Sequence, residues 1–455
     1  MNTKKLLLTL ILTLSSSITS ASFFIVDRFE DAPDTIPGDG QCKGLNMVGA
    51  TCSLRAAIME ANATVGPHTI LIPAGTDFVL SHVGEDEDAG LTGDLDILEE
   101  ITIQNGLAQG FVIDGNGTDR IFQIHAGAQL TLENGLLTNG VANSPNTFQG
   151  GAIKVEIDGV LFVDDVDFVN NIANRGGAVF NDGDVLIENS HIHHNAITNE
   201  NEPVNLPSEG NAILNRSVML IGASTLSHNG ILLNNDQNIS INQSEYAIHI
   251  NPNGVNAPQP VTYLFNSTVA NNKYAGIRAN FGITNINQST IANHENRGIR
   301  YTRRTGNLYE GELQLTITKS VFANNAVQDC NDLWVFHDNM VTETEVDLLG
   351  NFNASTDESC GFEGNNNQQN INDPFNGSLN DWGGKTPTLM IKENSDVIDL
   401  VTDSCSMEDQ RGSERPLDGN NSGVAFCDAG AVELDRSVDP IESDIIFKNS
   451  FDPMF

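Results

Sequence analysis

Between about residue 100 and residue 330 a short phrase of alternating apolar and polar residues keeps returning. It reads ITIQNG to Gly106, LTLENG to Gly135, LFVDDV to Val166, VLIENS to Ser190, MLIGAS to Ser224, ISINQS to Ser244, YLFNS to Ser267, ITNINQS to Ser289 and LTITKS to Ser320, at steps of 20 to 34 residues. Pairs such as Leu130 and Leu132, Val185 and Ile187, or Ile239 and Ile241 put apolar side chains on one face, so each phrase predicts a short strand with one buried side. Two positions after the anchor an apolar residue returns, as at Ile192, Leu226, Val269 and Ile291. Asparagine fills the next corner, with Asn139, Asn170, Asn271, Asn293 and Asn324 in one column and Asn171, Asn195, Asn229, Asn272 and Asn325 in the next. Asparagine accepts the left-handed backbone of a tight turn, and stacked amides can bond from one turn to the next. One such strand cannot bury its apolar side alone, whereas parallel stacking of the repeats makes a continuous core with neighbours ~4.8 Å apart. The nine phrases, with a strand in HTILIPAG from His68, predict about ten rungs of a parallel β-helix on an axis on the order of 45 Å long.

A solenoid has two open ends that must be covered. At the N-terminal end CSLRAAIMEANA from Cys52 predicts a helix, with Ser53 as its cap and Leu54, Ala57, Ile58 and Ala61 as one apolar stripe. Beyond residue 331 the phrase gives way to Gly, Asn and Asp, which reads as an end cap. The resulting division is a leader at 1–21, an N-terminal cap at 22–66, the β-helix at 67–330, late rungs and cap at 331–434, and an acidic tail at 435–455. The leader carries Lys4 and Lys5, an apolar core from Leu6 to Leu14, and small residues up to a cut near Ala21. That is the layout of a secretory signal peptide, and no later run approaches the ~20 apolar residues of a membrane span.

Export bears on the cysteines. They fall as the couples Cys42 with Cys52, Cys330 with Cys360, and Cys405 with Cys427. Six thiols allow 15 pairings, and in an exported chain the sequence-local scheme closes three short loops. The competing thiolate metal site lacks CxxC spacing. The 455 residues carry 60 Asp and Glu against 22 Lys and Arg, a formal net charge of −38. Nucleic acid is excluded as a partner by that field, because phosphate binding rests on clustered Lys and Arg.

Several motifs carry a resemblance. CSLRAAIMEANA from Cys52, GDLDI from Gly93, VIDGNGTDRIF from Val112, GGKTPTLM from Gly383, DQRGSERP from Asp409 and CDAGAVE from Cys427 resemble the bacterial secreted proteins named for their CSLREA motif. That resemblance covers most of the chain and implies a right-handed, pectin-lyase-like β-helix. Ala56 stands where the motif has Glu, so the reciprocal capping-box contact to Ser53 is missing. The family label describes a scaffold and brings no catalytic residues with it. The tail IFKNSFDPMF from Ile446 resembles the IFxxGFE-like ends of other exported bacterial proteins, with Ser450 in place of Gly; a frayed acidic terminus is the competing reading.

The register supplies the candidate chemistry. Asp164 and Asp167 hold the same phrase positions as Glu188 and His191, and His193 shares an outward face with His191. Stacked carboxylates repel unless a cation or proton intervenes. Asp164, Asp167, Glu188, His191 and His193 are therefore candidate metal ligands, for Zn2+ through the histidines or Ca2+ through the carboxylates, and Asp167 and Glu188 are the candidate catalytic pair. The alternative is a solvated acidic wall in which His191 pairs with Asp167.

His194 and His228 fall in the corner column and read as turn residues. The run EDED from Glu85 reads as a solvated loop and NDGD from Asn181 as a turn. Arg300, Arg303 and Arg304 flank Tyr301 in what reads as a loop, where a local salt bridge competes with a sugar-acid contact. No GxSxG, HExxH or phosphate loop is present. The expected function is adhesion or glycan binding without catalysis, with NENEPVNLPSEG from Asn199 and NPNGVNAPQP from Asn251 as candidate contact loops. A polysaccharide lyase or glycoside hydrolase using the carboxylate and histidine wall is the alternative, and a structural envelope component the third.

Overall fold

A computed structural model describes residues 21–43, 51–84, 87–106, 110–201, 208–233, 235, 239–252, 258–305, 314–337, 340–342, 350–362, 364 and 366–435. Among the described residues ten strands stack in parallel in one column, beginning with Ser22–Ile25, His68–Leu71 and Glu100–Gln104 and ending with Ile283–Asn287 and Gln314–Thr318. Register sets like on like: Ile103, Leu132, Val163, Ile187, Ile221, Leu264, Ile286 and Ile317 form one buried stack along the axis. Each rung then bends and continues as a second, shorter arm, such as His191–His193, Thr225–Ser227 and Thr268–Ala270. A second parallel sheet runs from Leu95–Ile97 to Gln328–His337, and a short third one joins Val141–Ala142, Ile172–Ala173 and Ala196–Thr198. The protein is a parallel β-helix, for which the crossover rule makes the right hand the expected one.

Eight of the nine phrases fall on strands of this column. ISINQS is not a rung: Val218–Gly222 pairs directly with Val261–Phe265, and Ile241–Asn242 instead runs antiparallel to Ala196–Thr198. Its period matched because alternation reports only that one side is buried. The first strand of the column is Ser22–Ile25, which the repeat did not reveal.

Both bends of the rung use left-handed backbone. Asn134, Asp165, Asn189, Asn266 and Lys319 have φ of 51 to 58° at the bend between the arms. Asn139, Asn170, Asn271, Asn293 and Asn324 have φ of 55 to 60° at the outer corner, where His194 and His228 (both 54°) take the same place, as their column predicts. The second asparagine column is different, because it points inward and is buried. Asn171, Asn195, Asn229 and Asn272 form a ladder in which each accepting oxygen takes the backbone N–H of the previous rung at 2.9 to 3.1 Å. A serine ladder runs beside it: Val166 N–H donates to Ser190 Oγ, Ser190 to Ser224, Ser224 to Ser267, Ser267 to Ser289 and Ser289 to Ser320. Backbone groups that the bends would strand inside the protein are thereby satisfied.

The N-terminal end is covered by the helix Leu54–Asn62, with Ser53 Oγ accepting from Ala56 N–H at 3.0 Å. The three disulfides are the sequence-local couples Cys42–Cys52, Cys330–Cys360 and Cys405–Cys427. The irregular C-terminal cap does more than close an end, since it folds back along the outside of the second arm. Gln410 donates to Ser224 O and Thr225 Oγ1 and accepts from Thr268 Oγ1, while Ala431 N–H donates to Thr290 Oγ1. Ala270, Ala292 and Ala323, small on three successive rungs, admit Leu389, Ile391, Val401 and Leu434 into a second apolar core. No helix among the described residues is long and apolar enough to cross a membrane.

Candidate functional site

The register places Asp164 beside Glu188, and Asp167 beside His191, on adjacent strands. The bend at Asp165 and Asn189 divides the five candidates. Asp164 and Glu188 end the first arm, and Asn189 Nδ2 donates to Asp164 Oδ1 at 2.6 Å. Burial, and then Asp164, raise the Glu188 carboxyl. Asp167, His191 and His193 lie on the second arm, each able to offer one ligand atom within 4.8 Å of the others. Burial, and then Asp165, push Asp167 up to about 7.

The two outward histidines stack with ring centroids 4.0 Å apart. His191 Nε2 meets Ser227 Oγ at 2.8 Å, and His193 Nδ1 meets His194 Nδ1 at 2.8 Å. His194 in turn stacks on His228 at 5.0 Å. Burial lowers His191 to about 3 and His194 to about 4, with neighbouring imidazoles adding to it, so these rings are neutral at pH 7. This cluster sits beside the edge of the folded-back cap. Lys385 forms an ion pair with Asp165, and Thr225 Oγ1, on the next rung, donates to Pro387 O at 2.7 Å.

The first arm carries a different surface. Phe162, Leu186, Leu220 and Tyr263 point outward on consecutive rungs in register, with Phe162 38% and Tyr263 41% exposed. Phe265 follows Tyr263 on the same face. Its ring lies over Gly222, where a Cβ would come within 2.1 Å of the ring, so a larger residue there would displace the ring. Asp164 and Glu188 border this strip. Sequence reading missed it, although alternation in YLF already put Tyr263 and Phe265 on one side.

Other candidates resolve structurally. Arg300 and Tyr301 lie in the strand Arg297–Thr305, not in a loop, and Tyr301 is buried. The side chains of Arg303 and Arg304 lie outside the described residues. Asn181 closes the NDGD turn by accepting from Gly183 N–H at 2.9 Å, and Asp182 pairs with Arg216 at 3.2 Å. Of the EDED run, Glu85 and Asp86 lie outside the described residues; Asp88 approaches Asp96 and His125, which pair with each other at 2.7 Å. Much of both long inserts, the leader before residue 21 and the tail after 435 are likewise outside.

His294 was not anticipated. It stands in the asparagine ladder, where its Nδ1 accepts from Asn272 N–H at 3.1 Å and its own N–H donates to Asn325 Oδ1 at 3.2 Å. Burial depresses it to about 3. The unfolded imidazole takes up a proton below pH ~6.5 that the folded one refuses, so stability falls as pH drops through that range. His294→Asn removes this loss, and the variant should gain ~2 kcal/mol on the parent between pH 7.5 and pH 5 in urea unfolding. A constant difference across that range would contradict the assignment.

No protein-family model and no curated protein matches the chain. Among solved structures it is similar to a rhamnogalacturonan lyase, at 10% identity and a TM-score of 0.36, over 72% of this chain and 90% of that one.

Proposed function

We propose that this is an exported β-helix protein that binds polysaccharide along the first arm without cleaving it. The observation that carries the reading is the strip of Phe162, Tyr263 and Phe265 on the outward face of the first arm, bordered by Asp164 and Glu188. Aromatic faces pack on the apolar faces of sugar rings, and carboxylates accept from sugar hydroxyls. A polymer laid along the axis meets the same wall at every ~4.8 Å step. The acidic charge favours neutral chains, or anionic ones bridged by cations.

Affinity electrophoresis through gels containing neutral and acidic polysaccharides, with and without Ca2+, tests this. Retardation by one polymer should weaken at least ~10-fold, or ~1.4 kcal/mol, in Tyr263→Ala and Phe265→Ala. Unchanged retardation in both variants would sink the reading. Product sizing on the same polymers addresses the alternative: shortened chains lost in Asp167→Ala or Glu188→Ala would make the protein a lyase or hydrolase. Neither retention nor cleavage leaves a structural envelope role.

A further inference from the structure

We propose that Asp167, His191 and His193 form a binding site for one divalent transition-metal ion, with Zn2+ as its natural class of occupant. This goes beyond glycan binding and uses the other arm of the rung.

The backbone presents the ligands. His191 and His193 are two apart on one strand, so both face outward, while Ile192 between them is fully buried and anchors the strand. Asp167 is the direct cross-strand partner of His191, and one ligand atom from each of the three lies within 4.8 Å of the others. Small movements of the side chains close that triangle on an ion at the ~2.0–2.2 Å distances of zinc ligands.

The hydrogen bonds select ring nitrogens. His191 Nε2 is engaged by Ser227 Oγ and His193 Nδ1 by His194, which leaves Nδ1 of His191 and Nε2 of His193 as the coordinating atoms. A partner on the far nitrogen is the usual way a metal-binding imidazole is oriented.

Donor chemistry selects the ion. Two imidazoles and one carboxylate suit Zn2+, Ni2+ or Cu2+, whereas Ca2+ calls for six to eight oxygens. Asp164 and Glu188 stand across the bend on the first arm, outside this triangle. Three protein ligands leave a coordination position for water or a ligand oxygen.

The test uses untagged, disulfide-bonded protein stripped with EDTA and titrated calorimetrically with ZnCl2, NiCl2 and CaCl2. One equivalent of Zn2+ should bind, Ca2+ should not compete, and Co2+ should give visible d–d absorption. Saturable binding should vanish in His193→Gln and His191→Ala, weaken about 10-fold in Ser227→Ala, and persist in Asp164→Asn and Glu188→Gln. Melting of the metal-free variants shows that they fold. Absence of stoichiometric Zn2+ binding in the parent, or its survival in folded His191→Ala and His193→Gln, overturns the site. A site lost with glycan retardation intact separates this inference from the proposed function.

Discussion

Arg55→Ala is expected to destabilise the protein by ~3–5 kcal/mol, the largest single loss we foresee at the N-terminal end. Arg55 is 1% exposed and pairs at 2.5 Å with Asp31, whose side chain is 2% exposed. Its guanidinium also donates to Gly90 O at 3.1 Å, Asp94 O at 3.0 Å and Gly93 O at 2.8 Å. Asp31 meanwhile accepts from the N–H groups of Ser81 and His82. One side chain thus ties the capping helix to the chain before it and to the segment entering the second sheet. Truncation leaves a buried carboxylate without its cation and three carbonyls without their donor. Arg55→Lys should recover little, because an ammonium cannot reproduce a planar fork directed at two sides. Urea unfolding of both variants measures the effect, and a midpoint within error of the parent would show that the helix is held by its apolar stripe alone.

The second large effect is expected at the centre of the asparagine ladder. Asn229 Oδ1 accepts from Asn195 N–H and Nδ2 at 3.1 Å, and its Nδ2 donates to Asn272 Oδ1 and Ile192 O at 2.9 Å. Asn229→Ala leaves these groups unpaired in a site closed to water, at a cost of ~3–5 kcal/mol when each unmade bond costs ~1–3. Asn229→Asp keeps the acceptor but sets a carboxylate against two oxygens, so it should be no milder. Asn271→Gly is the contrast, since that asparagine serves a left-handed corner with φ 55° that glycine also adopts, and the change should stay within ~0.5 kcal/mol. Equal losses at Asn229 and Asn271 would mean that the ladder contributes nothing beyond turn geometry.

Alternation made the strands legible because a strand with one buried face shows its period directly, and the rung register of Asp164 with Glu188 and Asp167 with His191 followed from aligning the phrases. The same signal admitted ISINQS, whose apolar residues pack in a side loop. Both asparagine columns stood out in the sequence, but one faces the corner and the other the interior, and composition is the same for both. Arg55 lies in the most recognisable motif of the chain, yet its partners are 24 to 39 residues away and cannot be read from that motif.

The candidate site shows the same limit. Side-chain alternation put His191 and His193 outward, but the bend at Asp165 and Asn189 assigns Asp164 and Glu188 to another arm, and left-handed backbone at one residue has no periodic signature. Nor did the chain's pattern indicate that residues 385 to 431 return to cover the later rungs, with the aromatic strip on one arm and the histidine cluster at the cap's edge on the other. The repeat, the strand faces, the three disulfide couples and the acidic surface were determined by the sequence itself, because each depends on period, spacing or composition. Which polar residues are buried, which wall is covered and which ligands meet were decided only by the tertiary structure, because each depends on contacts between segments far apart in the chain.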